Sequence, residues 1–171
     1  LFYDCENLVS AVISESVDSI GEGVFAGCKK LISVKLPQKM SYLGKCAFEV
    51  CESLTDVTVP EGITELSEST FARCFALEKV VLPETLETIG SDAFRMCGFS
   101  EIVIPSSVTS IQSQAFYECR NLLYIALPHG LTEISKNMFS GCTSLESIVI
   151  PDTVTFIDDG AFGACENLGY L

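Results

Sequence analysis

Apolar residues fall in fixed columns along this chain. Proline, or Ser14 in its place, opens each unit: Ser14, Pro37, Pro60, Pro83, Pro105, Pro128 and Pro151, five steps of 23 residues and one of 22. A period in that range means one supersecondary unit per repeat, stacked into a solenoid. Counting the proline as position 1, position 4 is Val17, Met40, Ile63, Leu86, Val108, Leu131 and Val154, and position 7 is Ile20, Leu43, Leu66, Ile89, Ile111, Ile134 and Ile157. Position 12 is always phenylalanine, from Phe25 through Phe48, Phe71, Phe94, Phe116 and Phe139 to Phe162. Position 15 is always cysteine, from Cys28 to Cys165, and position 18 is leucine except for Phe99. Positions 21 and 23 pair as Val34/Leu36, Val57/Val59, Val80/Leu82, Ile102/Ile104, Ile125/Leu127 and Ile148/Ile150. A partial unit with Phe2, Cys5, Leu8, Ala11 and Ile13 precedes them in register.

Each column marks a side chain turned inward to stack on its equivalent one coil away. The alternation around positions 21 and 23 predicts a strand of three to five residues. A strand that short needs neighbours, and stacking at roughly 4.8 Å per coil makes a parallel sheet. Proline ends it, since it has no N–H for the ladder. Positions 8 to 14 suit one short helical turn with Phe pointing in, and Gly21, Gly44 and Gly90 at position 8 mark a bend before it. The expectation is an α/β repeat solenoid, a single domain over residues 1–171 with about seven repeats of 22–23 residues. Repeat four lacks one residue between Cys97 and Phe99. The loss should fall in the turn after Cys97, with the strand restarting on schedule at Glu101.

Composition narrows the function. The net charge of −13, from 23 acidic and 10 basic residues, speaks against a nucleic-acid partner, which needs a basic face. No apolar run approaches the roughly 18 residues of a membrane span, so no membrane insertion is expected, and no signal peptide is visible. Eight of the nine cysteines share one column and point the same way from successive coils. A disulfide wants Cβ atoms about 3.8 Å apart and turned toward each other, which parallel neighbours near 5 Å cannot supply. Zinc would need convergent ligands. The column cysteines therefore read as small buried residues with a weak S–H donor. Cys46 alone sits elsewhere, at position 10, and is expected to be partly exposed. His129 is the single histidine, and with no nucleophile motif beside it no triad follows. Asp158-Asp159 supply too few oxygens for calcium. No catalytic residue, metal site or cofactor is expected.

With the columns laid out, the chain resembles the BspA-type, or Treponema pallidum-type, leucine-rich repeats. The match runs Cys119-x-x-Leu122-x-x-Ile125-x-Leu127-Pro128-x-x-Leu131-x-x-Ile134 and on to Phe139-x-x-Cys142, and it recurs in every repeat. Ser14 for proline, Phe99 for leucine, and Thr70 and Met138 for the small residue before Phe are the departures. The resemblance implies a curved right-handed superhelix with the parallel sheet on its concave face. It also implies roles in adhesion or protein–protein interaction, and a cell-surface or secreted setting, without catalytic residues.

In such a solenoid the outward strand positions form an extended binding face. Position 20 reads Ser10, Ser33, Asp56, Lys79, Glu101, Tyr124, Ser147 and Tyr170; position 22 reads Val12, Lys35, Thr58, Val81, Val103, Ala126 and Val149. The expected strip for a protein ligand is Lys35, Asp56, Lys79, Val81, Glu101, Val103 and Tyr124. Its varied chemistry favours binding over a spacer or stalk that presents another domain, for which a uniformly polar face would serve. The chain starts at Leu1 and Phe2 in mid-repeat and stops at Leu171 within a strand. A fragment of a longer protein, or end-to-end self-association through uncapped coils, is the expectation from that.

Overall fold

The computed structural model describes residues 2–169. Leu1, Tyr170 and Leu171 lie outside the described residues, and with them the last member of the position-20 column and the expectations drawn from the two end residues. The chain winds as a parallel β-solenoid, and a complete repeat contributes two short strands, except the short one, which lacks the strand at positions 20–22. The strands at positions 20–22 are β1 (Ser10–Val12), β3 (Ser33–Lys35), β5 (Asp56–Thr58), β7 (Lys79–Val81), β10 (Tyr124–Ala126) and β12 (Ser147–Val149). Those at positions 6–7 are β2 (Ser19–Ile20), β4 (Tyr42–Leu43), β6 (Glu65–Leu66), β8 (Thr88–Ile89), β9 (Ser110–Ile111), β11 (Glu133–Ile134) and β13 (Phe156–Ile157). All pairs are parallel and in register by repeat, as in Val57↔Val80 and Ile125↔Ile148. The period-2 reading placed the first series. The two-residue strands at positions 6–7 were too short to show an alternation of their own.

The interior is one continuous core. Phenylalanine rings stack from Phe2 to Phe162, with neighbouring centroids 5.2–5.7 Å apart. That spacing suits offset stacking, so the fold gains ring–ring attraction beyond burial alone. Phe99, standing where other repeats have leucine, is fully buried and meets Phe94 edge-on at 5.8 Å. The prolines after the strands are buried as well.

The helical turn expected at positions 8 to 14 does not form; no helix occurs among the described residues. The reason is a backbone switch at positions 10 and 14. Cys46, Ser69, Asp92, Gln114 and Asn137 at position 10, and Val50, Arg73, Met96 and Glu118 at position 14, all have φ between 53° and 62°. A left-handed residue every fourth position stops a right-handed helix. The amides turn outward along the stack instead. Gly23 N–H donates to Lys45 C=O, Phe25 to Ala47 and Gly27 to Glu49, at 2.8–2.9 Å, while Ala26 and Cys28 donate three residues back within their own coil. Half of the hydrogen bonds thus join coils, which no isolated helix allows.

Position 8 is a close approach rather than only a bend. A Cβ on Gly44 would lie 2.5 Å from the carbonyl carbon of Gly21, and one on Gly90 would lie 2.6 Å from the Leu66 oxygen. Where the residue is serine, its hydroxyl reaches back instead: Ser67 Oγ donates to Leu43 C=O at 3.0 Å and Ser135 Oγ to Ile111 C=O at 2.7 Å.

The short repeat breaks the first sheet. β1-β3-β5-β7 form one run and β10-β12 another. The strand expected to restart at Glu101 does not: between the runs only a single bridge forms, Glu101↔Tyr124. Just after the lost residue the backbone at Gly98 approaches the preceding coil so closely that a Cβ would stand 2.2 Å from Phe75 C=O, and the segment that follows forms no ladder with β7. The turns at positions 10 to 14 continue unbroken past the same place, with Phe94 N–H on Ala115 C=O and Met96 N–H on Tyr117 C=O.

Candidate interaction surface

The first-sheet strands alternate an inward residue at position 21 with outward ones at positions 20 and 22. Val57 is buried while Asp56 and Thr58 are exposed, and Ile125 is buried between Tyr124 and Ala126. The same alternation brings Lys35, Asp56, Lys79, Val81, Glu101, Val103 and Tyr124 to one face, all seven exposed. Parallel register sets the order along it: Asp56 lies beside Lys79, Thr58 beside Val81, and Glu101 beside Tyr124. Two depressions run along this face. The larger, about 850 Å³, is lined by Val12, Lys35, Asp56, Thr58 and Val81 among others, and the smaller, about 160 Å³, by Glu101, Val103, Tyr124 and Ala126. The first lies on the β1-β3-β5-β7 side of the break in the sheet and the second at Glu101–Ile104. Six of the seven expected residues line one or the other; Lys79 lines neither and lies beside Asp56.

Val103 is 82% exposed, the most open of the large apolar residues on this face, which also carries exposed Val81 and Val149 and a half-exposed Tyr124. Sequence reasoning passed over Tyr42 and Phe156, exposed at position 6, because two-residue strands carry no signal of their own. It placed Ile157 in the inward column, whereas Ile157 is 50% exposed on β13, which pairs on one side only among the described residues.

The thiols do a different job. Cys28 Sγ donates to Phe2 C=O, Cys51 to Phe25, Cys74 to Phe48, Cys97 to Phe71, Cys119 to Phe94, Cys142 to Phe116 and Cys165 to Phe139, all at 3.0–3.2 Å. Each phenylalanine carbonyl also accepts the cysteine N–H of its own coil, so both lone pairs are used. All nine cysteines are free. Burial pushes Cys51 and Cys119 up to about 12, and Cys74, Cys97 and Cys142 well above the ordinary thiol range. Burial, followed by the neighbouring Glu49 carboxylate, raises half-buried Cys46 to about 11, so it is no activated nucleophile.

His129 lies 3.9 Å from Asp152 on the open surface, and Asp158 caps the Asp159 N–H in a turn. Among the described residues no group of His, Cys, Asp and Glu side chains converges as a metal site would require. No helix there is long and apolar enough to cross a membrane.

A family model described as the BspA type leucine rich repeat region matches residues 1–122 and 87–171, in six copies. A leucine-rich repeat protein from Bacteroides ovatus is 34% identical, with a TM-score of 0.92 over 95% of this chain and 45% of its own. A T. pallidum leucine-rich repeat protein is 30% identical, with a TM-score of 0.89 over 95% of this chain and 78% of its own. The chain thus spans less than half of the first and about three quarters of the second. No curated protein matches it.

Proposed function

Because the chain belongs to the BspA-type leucine-rich repeat family, we propose that it is a protein–protein interaction module whose outward first-sheet face takes the partner. Adhesion is the setting we favour, since an extended strip of short stacked strands offers many shallow contacts along one direction. The observation that carries this reading is Val103. Valine suits a strand, and that alone would account for Val81 and Val149. Val103 lies in the segment that forms no strand, so sheet packing does not explain an apolar side chain left so open. Glu101 and Tyr124 share its depression, a carboxylate and an aromatic anchor of the kind that dominates interface energetics. The module is read as non-enzymatic, because the face holds no nucleophile with a base beside it.

The chain itself serves as bait beside its Lys79→Ala/Tyr124→Ala and Val103→Asp variants. Loss of the same partners from both variants, with folding unchanged by circular dichroism, supports the reading. Equal recovery of every partner would sink it and favour a spacer that presents another domain.

A further inference from the structure

The short repeat opens a second feature, away from the sheet face, on the turn after the cysteine column. Position 16 there reads Glu6, Lys29, Glu52, Phe75, Gly98, Arg120, Thr143 and Glu166. Every coil but one places a side chain at this point, and the missing one is Gly98. The vacancy is a solvent-open notch of about 350 Å³ lined by Phe75, Met96, Cys97, Gly98, Glu118 and Arg120, with Asn121 at its edge. Glycine is required there, because a Cβ would stand 2.2 Å from Phe75 C=O. Asn121 Nδ2 donates to Gly98 C=O at 3.1 Å and fixes the floor. On one side Phe75, the single aromatic of this column, is 50% exposed. On the other, Arg120 is held by Glu118 at 2.9 Å, which orients its guanidinium.

We propose that this notch binds one aromatic side chain of a polypeptide partner, layered between Phe75 and Arg120 over Gly98. The dimension is set by the solenoid itself. Neighbouring layers here are 5.6–5.7 Å apart, as the Phe71, Phe94 and Phe116 rings show. Gly98 belongs to the coil between those of Phe75 and Arg120, so a ring over it would have the aromatic on one side and the guanidinium on the other, at about one layer step from each. That lies inside the about 4.5–7 Å of aromatic pairs and the about 6 Å reach of a cation over a ring. A saturated ring would fill the space and gain neither attraction. The volume is at the low end of the roughly 300–1,000 Å³ of ligand pockets, room for a ring rather than a whole cofactor. Its open mouth lets a chain continue on, as the proposed polypeptide requires.

The test is an NMR titration of the ¹⁵N-labelled chain with N-acetyl-glycyl-tryptophyl-glycinamide, its cyclohexylalanine analogue, and free indole. Saturable shifts centred on Gly98 and Arg120 are expected with the tryptophan peptide. Affinity should fall about fivefold or more with the saturated ring, and likewise on Phe75→Ser or Arg120→Gln. Both side chains are exposed, and the rest of the spectrum reports that the fold is kept. Shifts centred elsewhere, equal binding of the saturated ring, or indifference to Phe75→Ser would overturn the site. Indole binding as tightly as the peptide would overturn the polypeptide assignment. The Lys79→Ala/Tyr124→Ala variant should titrate like the parent, which separates this site from the sheet face.

Discussion

Column cysteines are chosen by a donor requirement as much as by size. The Phe48 carbonyl already accepts Cys51 N–H, and its second lone pair faces the next coil, where Cys74 Sγ meets it at 3.2 Å. Alanine would leave that lone pair facing an apolar wall, so Cys74→Ala should cost about 1–2 kcal/mol in urea unfolding, from the lost sulfur volume and donor together. The raised thiols fix the sign of the pH dependence. A thiol raised from 9.0 toward 12, as at Cys51, is neutral in the folded chain when the unfolded chain has begun to ionise. Its contribution is therefore whole below pH 9 and is lost as pH rises from there toward 12. With several such thiols in one core, the melting temperature should stay flat to about pH 8.5 and then fall steeply, and a cysteine-to-serine column variant should fall less. At pH 8 Ellman's reagent should titrate exposed Cys5 rapidly and the buried column thiols from Cys28 to Cys142 only in denaturant; rapid reaction of those six would contradict the burial. That these cysteines stack unbonded was legible from their shared register. Their acceptor was not, since a carbonyl's direction depends on turn geometry that the sequence does not spell out.

The turns at positions 10 to 14 are where propensity misled. Ala and Phe spaced for an inward-facing helical turn are also what a stacked coil needs, and the two differ only in where the amides point. Glycine, asparagine and aspartate at position 10, in Gly23, Asp92, Asn137 and Gly160, were a partial sign of left-handed backbone. Position 14 gave less, with Val50, Arg73, Met96 and Glu118 all held there at φ 53–62°. A side chain in that region costs roughly 1–2 kcal/mol, which the stack sustains by taking each amide across to the next coil. Val50 N–H donates to Ala72 C=O at 2.9 Å, and its β-branch makes it the most strained of the set. Val50→Gly should thus raise stability by about 0.5–1 kcal/mol, the relief of strain being partly offset by a freer unfolded chain. A loss in urea melts would mean that Val50 packing outweighs its backbone.

At the scale of the whole molecule, one missing residue organises the surface. The solenoid, its core columns and the outward face of the first strand series were all readable from the period, because stacking forces equivalent residues onto equivalent faces. The consequence of the 22-residue step was not, since whether a strand recovers its ladder depends on fractions of an ångström at Gly98. Val59 N–H donates to Val81 C=O at 2.9 Å and Leu127 N–H to Val149 C=O at 3.0 Å. Leu82 and Ile104, at the same position of the intervening repeats, donate to no backbone carbonyl among the described residues. Their amides should exchange with solvent faster than those of Val59 and Leu127, by about tenfold or more if local opening there is easier by only 1.4 kcal/mol. Inserting one alanine after Gly98 restores the 23-residue step. If the short repeat causes the break, Leu82 N–H then reaches the carbonyl of Val103, its exchange slows toward that of Val59, and β7 joins a strand at Glu101–Val103. The same insertion draws Val103 into the ladder, so the partner-binding face and the protection of Leu82 should change together. Unchanged exchange at Leu82 would place the cause of the break elsewhere in the coil.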